Sequence, residues 1–192
     1  LPAALFMALT FSLLRAESER SSDPAEILSY VNRALLKMNA SGMFVTLLYG
    51  VLDFRTGIIQ YARAGHLLPI LLDAQGSAMT LRVNEGQPLG LFSKVILDVQ
   101  EIVLVPGGNA LFFTDGLSEA FNDQGEQFGI DSITRTLYAH RDDSSPTICR
   151  KMYETVKAFS QSAPNQDDFA VVSLKRAPVL SRPEDLSKPM YW

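Results

Sequence analysis

The chain has 192 residues, 47% of them hydrophobic and 20% charged, which fits one ordinary globular domain with or without a short tail. Seventeen basic and 21 acidic residues leave a net charge of -4, which argues against nucleic acid as the partner. A single cysteine and two histidines exclude an internal disulfide, a cysteine-rich zinc site and a three-histidine catalytic zinc site.

Residues 1–14 are almost free of polar groups. No basic segment precedes them, as a signal peptide requires. Arg15, Glu17, Glu19 and Arg20 end the run well short of the ~20 apolar residues a membrane span needs. Leu5, Leu9, Leu13 and Ala16 recur at helical spacing and Pro2 suits a first turn, so a helix buried against the core is expected, with no direct membrane insertion. The unpaired cysteine and the lack of an export signal point to the cytoplasm. Asp23 is placed to cap a second helix that opens at Pro24 and buries Ile27, Leu28, Val31, Leu35 and Met38. That helix stops at residues 39–42, Asn-Ala-Ser-Gly.

From Met43 the period changes. Residues 43–53 are rich in β-branched and aromatic side chains, Arg55-Thr56-Gly57 is a turn, and 58–64 reads as the returning strand of a hairpin. Strands are further expected at 67–72, 79–83 and 95–104, the last with Val95, Leu97 and Val99 on one face and Ile102 and Leu104 after a phase change. The charge-free run 110–114 reads as a central strand. Helices follow at 130–139 and 146–159, then a last strand at 168–174. The Pro-containing residues 176–192 form a tail or linker behind a domain spanning 1–175. Strands paired by tight turns with helices grouped apart give an α+β fold, an antiparallel β-sandwich flanked by helices.

Three stretches carry candidate chemistry. In Thr114-Asp115-Gly116 an apolar strand ends in a carboxylate, which is costly to bury without a cation, and glycine leaves room for close approach. An Asp-Gly turn with Asp115 as a cap is the other reading. Asp167 and Asp168 repel one another unless a cation lies between them, or else they belong to a solvated loop end. Two aspartate-tipped strands aimed at one point form an oxygen-only ligand set suited to Mg2+ or Mn2+. Paired ions of that kind activate water for in-line attack on phosphorus. In Tyr61-Ala62-Arg63-Ala64-Gly65-His66, His66 stands at a strand end, where it can orient water, donate a proton, bind phosphate or serve structure alone. Arg63 is either a phosphate contact or a salt-bridged surface residue. The acidic stretch Asp115, Glu119, Asp123 and Glu126 attracts cations or basic surfaces, or is a solvated loop. No Gly-x-Ser-x-Gly elbow, P-loop or Gly-x-Gly-x-x-Gly occurs.

Met43-Phe44-Val45-Thr46-Leu47, the Tyr61-to-His66 stretch, Gly86-Gln87-Pro88-Leu89-Gly90, the run Thr114 to Ala120, Phe128-Gly129 and Asp167-Asp168, in this order, resemble the bacterial SpoIIE/RsbU branch of the PPM (protein phosphatase 2C-like) serine/threonine phosphatases. The resemblance covers residues 1 to about 175. It implies an αββα sandwich with two Mn2+ or Mg2+ ions at one edge. It also implies hydrolysis of phosphoserine or phosphothreonine on partners such as STAS-domain anti-sigma-factor antagonists, under the control of an upstream sensory domain. By motif, Asp115 with Gly116 takes the place of one metal-binding aspartate. Asp167 takes that of the late ligand, with Asp168 its rival, and His66 falls in the Ala-Gly-His signature.

The family's first metal motif, Asp-x-Ser-Gly-(His/Lys)-Gly, comes directly before the Pro-Ala-Ala-Leu that is residues 2–5 here. The expectation is therefore the C-terminal majority of a catalytic domain, missing N-terminal strands and the aspartate that bridges both metals, with weak metal binding and poor turnover. A catalytically incomplete, regulatory protein-interaction module is the alternative.

Overall fold

The computed structural model describes residues 2–39, 42–160 and 167–178. Helices α1 (Pro2–Ser18) and α2 (Pro24–Met38) lead into β1 (Leu47–Asp53), β2 (Ile58–Ala64), β3 (Ile70–Leu72), β4 (Ala78–Met79), β5 (Asp98–Val103) and β6 (Asn109–Phe113). A short α3 (Asp115–Ser118), then α4 (Gly129–Ala139), α5 (Ser145–Phe159) and β7 (Val171–Lys175) complete the described chain. The strands form two antiparallel sheets, ordered β1-β2-β5 and β4-β3-β6-β7.

Strand periodicity sorts the side chains into three apolar layers. On β2, Ala62 and Ala64 face α1 and α2, packing with Phe6, Ile27, Leu28, Val31 and Leu35. Ile59 and Tyr61 point the other way, into the space between the sheets, where they meet Leu71, Ile102, Leu104 and Ala110. On β6, Leu111 and Phe113 face outward onto α3, α4 and α5, against Leu117, Ile133, Leu137, Ile148, Met152 and Val156. The result is the αββα sandwich that the sequence predicts.

Helix α2 follows its signals closely. The Asp23 carboxylate accepts from the Ala25 and Glu26 N–H groups, at 2.7 and 3.3 Å, satisfying donors that the first turn leaves free. Met38, expected inside, is 61% exposed, at the last residue of the helix before its Asn39 cap. Helix α1 differs more. Its buried residues are Phe6 and Thr10, with Leu9, Leu13 and Leu14 packed against them, while Leu5 is 66% exposed and Ala16 is exposed. A helix this apolar all round offers two stripes, and periodicity alone does not say which one the core takes.

Several expected strands are shorter than predicted, β5 (98–103 against 95–104) and β7 (171–175 against 168–174) among them. Residues 67–69 stay outside β3, where Pro69 lacks the N–H a ladder needs. Residues 80–83 lie mostly exposed beyond β4. The tail expected from 176 falls largely outside the described residues. Within them, Arg176 ties the end of β7 to the β1–β2 turn, donating to the carbonyls of Arg55 (2.9 Å), Thr56 (2.5 Å) and Leu104 (3.0 Å). Among the described residues no helix is long and apolar enough to cross a membrane.

Tyr61 is fully buried between the sheets, and its hydroxyl has no hydrogen-bond partner among the described residues. Burial, reinforced by the negative charge of Asp98, pushes the phenol up to about 12, so it stays neutral. Tyr61→Phe is therefore expected to hold stability or raise it by up to ~1–2 kcal/mol. Urea unfolding of the two proteins checks this, and a loss of stability on removing the hydroxyl contradicts it.

Candidate functional site

Strand β6 carries no charge and ends at Phe113, and Thr114, with an extended backbone, turns the chain into α3. Asp115 opens that turn with an exposed side chain, its Oδ1 accepting the Gly116 N–H at 2.9 Å. Leu117 and Ala120 anchor the segment from behind in the core under α4 and α5.

Antiparallel pairing places the second acidic stretch beside the first. Phe113 of β6 pairs with Val171 of β7. One step further out, the Thr114 N–H donates to the Ala170 carbonyl at 3.1 Å and the Thr114 hydroxyl accepts the Ala170 N–H at 2.9 Å. The end of β6 and the approach to β7 thus share one sheet edge, and Gly116 lets them touch. A Cβ at residue 116 would stand 2.5 Å from the Asp168 carbonyl oxygen and 3.4 Å from that of Asp167. Both aspartates are exposed, on the same edge as Asp115.

His66 reaches this edge from the other sheet. Gly65 adopts φ +71, open to glycine at no steric cost, and a Cβ there would meet the Pro88 ring at 3.1 Å. This turn lies against the Gly86–Gly90 loop and aims His66 across the sandwich. Nδ1 lies 3.4 Å from the Thr46 hydroxyl, and the ring stands close enough to the Phe113 carbonyl and to Asp115 for both to raise its pKa. Burial lowers the imidazole below its ordinary value; the Asp115 charge and the Phe113 carbonyl pull it back only in part, and Arg63 adds to the lowering. A neutral ring results at neutral pH.

Arg63 makes the salt bridge that one reading expected, but buried and not at the surface. It is 9% exposed, and its guanidinium is spent on protein groups. Nε meets Asp98 Oδ2 at 2.9 Å, Nη1 donates to the His66 carbonyl at 2.7 Å, and Nη2 to the Asn84 carbonyl at 2.6 Å. Asp98 is 1% exposed and also accepts from Asn84 Nδ2 (2.9 Å) and Gln100 Nε2 (2.7 Å). Sequence reading missed Asp98 by putting Val99 on the inner face, whereas Val99 is 54% exposed. The usable signal was the phase of Ile102 and Leu104, which, run back in steps of two, turns Asp98 inward and demands a buried cation.

The acidic run beyond Asp115 is organised locally. Asn122 Oδ1 accepts the N–H groups of Gln124 and Glu126, and Asp123 and Glu126 are exposed. Asp115, Asp167 and Asp168 bring carboxylate oxygens, the donor type hard divalent cations prefer, to one sheet edge. Among the described residues no three His, Cys, Asp or Glu side chains gather into a metal-holding group. The present residues therefore fit part of such a site.

Comparison with known proteins bears on this edge. The family described as Stage II sporulation protein E (SpoIIE) matches residues 1–177. Protein IcfG of Synechocystis is 30% identical over 98 residues, 51% of this chain and 15% of that protein. The RsbU and RsbW domains of a Mycobacterium tuberculosis protein superpose with a TM-score of 0.73 at 28% identity, covering 92% of this chain and 49% of that one. The SiaA-PP2C domain of Pseudomonas aeruginosa gives 0.76 at 23% identity over 91% of this chain and 70% of that one. The Mn-presoaked phosphatase domain of Bacillus subtilis SpoIIE gives 0.61 at 15% identity over 95% and 76%; the last two likenesses concern the fold. The chain thus spans about half or less of the first relatives it matches.

Proposed function

The chain belongs to the SpoIIE family of PPM-type phosphatase domains, and from that we propose that it forms a metal-dependent protein serine/threonine phosphatase domain acting on a phosphorylated partner protein. The observation that carries the reading is the contact of Gly116 with the Asp168 carbonyl, which sets Asp115 and the Asp167–Asp168 segment on one edge. In this reading the catalytic domain spans residues 1–175, residues 176–192 form a tail or linker, and the protein works in the cytoplasm under an upstream sensory domain.

Mn2+ or Mg2+ is the proposed cofactor, with Asp115 and Asp167 as ligands, Asp168 beside them and Gly116 giving the room. The Mn-presoaked SpoIIE structure supports the choice of metal, as do the carboxylate oxygens at this edge. When bound, such ions neutralise charge on the phosphoryl oxygens and activate water for in-line attack. The protein's own contribution is placement. Asp115 is presented by a charge-free strand, Thr114 locks the second acidic segment against it, and neutral His66 stands beside the strand end from across the sandwich.

The proposed substrate class is a phosphoserine or phosphothreonine protein, such as a STAS-domain anti-sigma-factor antagonist. The RsbU and RsbW domains joined in the mycobacterial relative support it. The test is hydrolysis of a phosphoserine protein by the natural full-length protein with Mn2+. Asp115→Asn is expected to lower turnover by ~100-fold or more. Equal, background-level turnover by both proteins instead assigns the chain to a regulatory protein-interaction module with the same fold.

A further inference from the structure

We infer that Arg63, backed by Asp98, is a positioning residue that sets His66 and, through it, the strand end carrying Asp115. Arg63 touches none of the candidate ligands. Its three nitrogens each meet an acceptor on a different segment: Asp98 on β5, the His66 carbonyl in the β2–β3 connection, and the Asn84 carbonyl in the loop before β5. Asn84 closes the ring by donating from its side chain to the second Asp98 oxygen. Asp98 and Arg63 are also direct register partners across β2 and β5, so the sheet itself delivers the guanidinium to its carboxylate.

The arrangement uses what distinguishes arginine from lysine. A planar fork fixes three acceptors at set angles, whereas an ammonium gives one mobile point of charge. With its carbonyl held, His66 has its backbone fixed on one side, and its ring faces the Thr46 hydroxyl, 3.4 Å from Nδ1, and the neighbourhood of the Phe113 carbonyl on the other. The placement that Arg63 holds therefore bears on the end of β6, two residues before Asp115. Ordinary core glue does not need it, because the apolar contacts between the sheets already join them.

The inference rests on the phosphatase reading only for its effect on turnover; the placement of His66 is measured without it. The chain has two histidines, and His140 lies at the end of α4, where Nδ1 meets Asp143 at 2.9 Å. Imidazole 1H–15N correlation spectra therefore give one reporter and one internal control. In Arg63→Lys the His66 ring signals are expected to move while those of His140 stay in place. In the full-length protein with Mn2+, kcat is expected to fall ~10- to 100-fold with KM unchanged. If Arg63→Lys does not fold, Asp98→Asn, which keeps the shape and removes the charge, is expected to move His66 in the same direction by less. Unmoved His66 signals in a folded variant overturn the inference, as does a shift shared equally by both histidines. If the wild-type protein has no phosphatase activity the proposed function fails, and the His66 signals still decide the role of Arg63.

Discussion

In a Gly116→Ala protein, Mn2+-dependent turnover of a phosphoserine substrate is expected to fall by ~100-fold or more, and the fold to lose ~1–3 kcal/mol. The added methyl would stand 2.5 Å from the Asp168 carbonyl oxygen and 3.2 Å from its carbonyl carbon, and backbone at that distance has no rotamer to change. Either α3 or the 167–168 segment must move. Thr114 and Ala170, joined by two hydrogen bonds one step inside the edge, resist that movement. The strain is thus borne at the place where Asp115 and the second acidic stretch come together. A displacement of about an ångström there is enough to spoil a site that depends on placement. Steady-state kinetics and urea unfolding measure the two effects separately. Full turnover in a folded Gly116→Ala protein contradicts the placement of the site.

The residues that make this prediction were visible in the sequence for local reasons; their convergence was expected there, but the strand pairing that brings it about was not. Asp115 and Gly116 stand out because a carboxylate ending a charge-free strand violates the usual pattern, and Asp167-Asp168 because adjacent carboxylates repel. That both reach one edge follows from the pairing of Phe113 with Val171, and periodicity reports buried faces without naming strand partners. The α2 cap and the β1–β2 hairpin were legible since each is decided within a few residues. Arg63 was misread because its carboxylate is 35 positions away and sits on the face assigned to solvent. Leu5 was misplaced because α1 is apolar on more than one side. In each case the missing information was which neighbour a side chain meets.

Asp98→Ala is expected to cost ~3–5 kcal/mol at neutral pH, the range for removing one partner of a buried ion pair. The substitution leaves the Arg63 guanidinium, 9% exposed, without its counter-charge, and it strands the Asn84 and Gln100 amides that also donate to Asp98. The pH dependence gives a second signature. Burial alone would push the Asp98 carboxyl up, but hydrogen bonds from Asn84, Gln100 and Arg63, with the Arg63 charge, outweigh it and hold the group below the ordinary aspartate range. A carboxyl lowered in the folded state binds fewer protons there than in the unfolded chain, so its contribution is complete above the unfolded value of about 3.9. It is withdrawn as the pH falls through the lower folded value. Urea unfolding should therefore show the gap between wild type and Asp98→Ala at its widest near neutrality and narrowing on the acid side of about pH 4. Asp98→Asn keeps the volume and one accepting oxygen but turns an NH2 toward a donor, and it should show the same narrowing. A gap that is small at neutral pH, or constant down through the acid range, would mean that Asp98 is not the ionised anchor on which Arg63 depends.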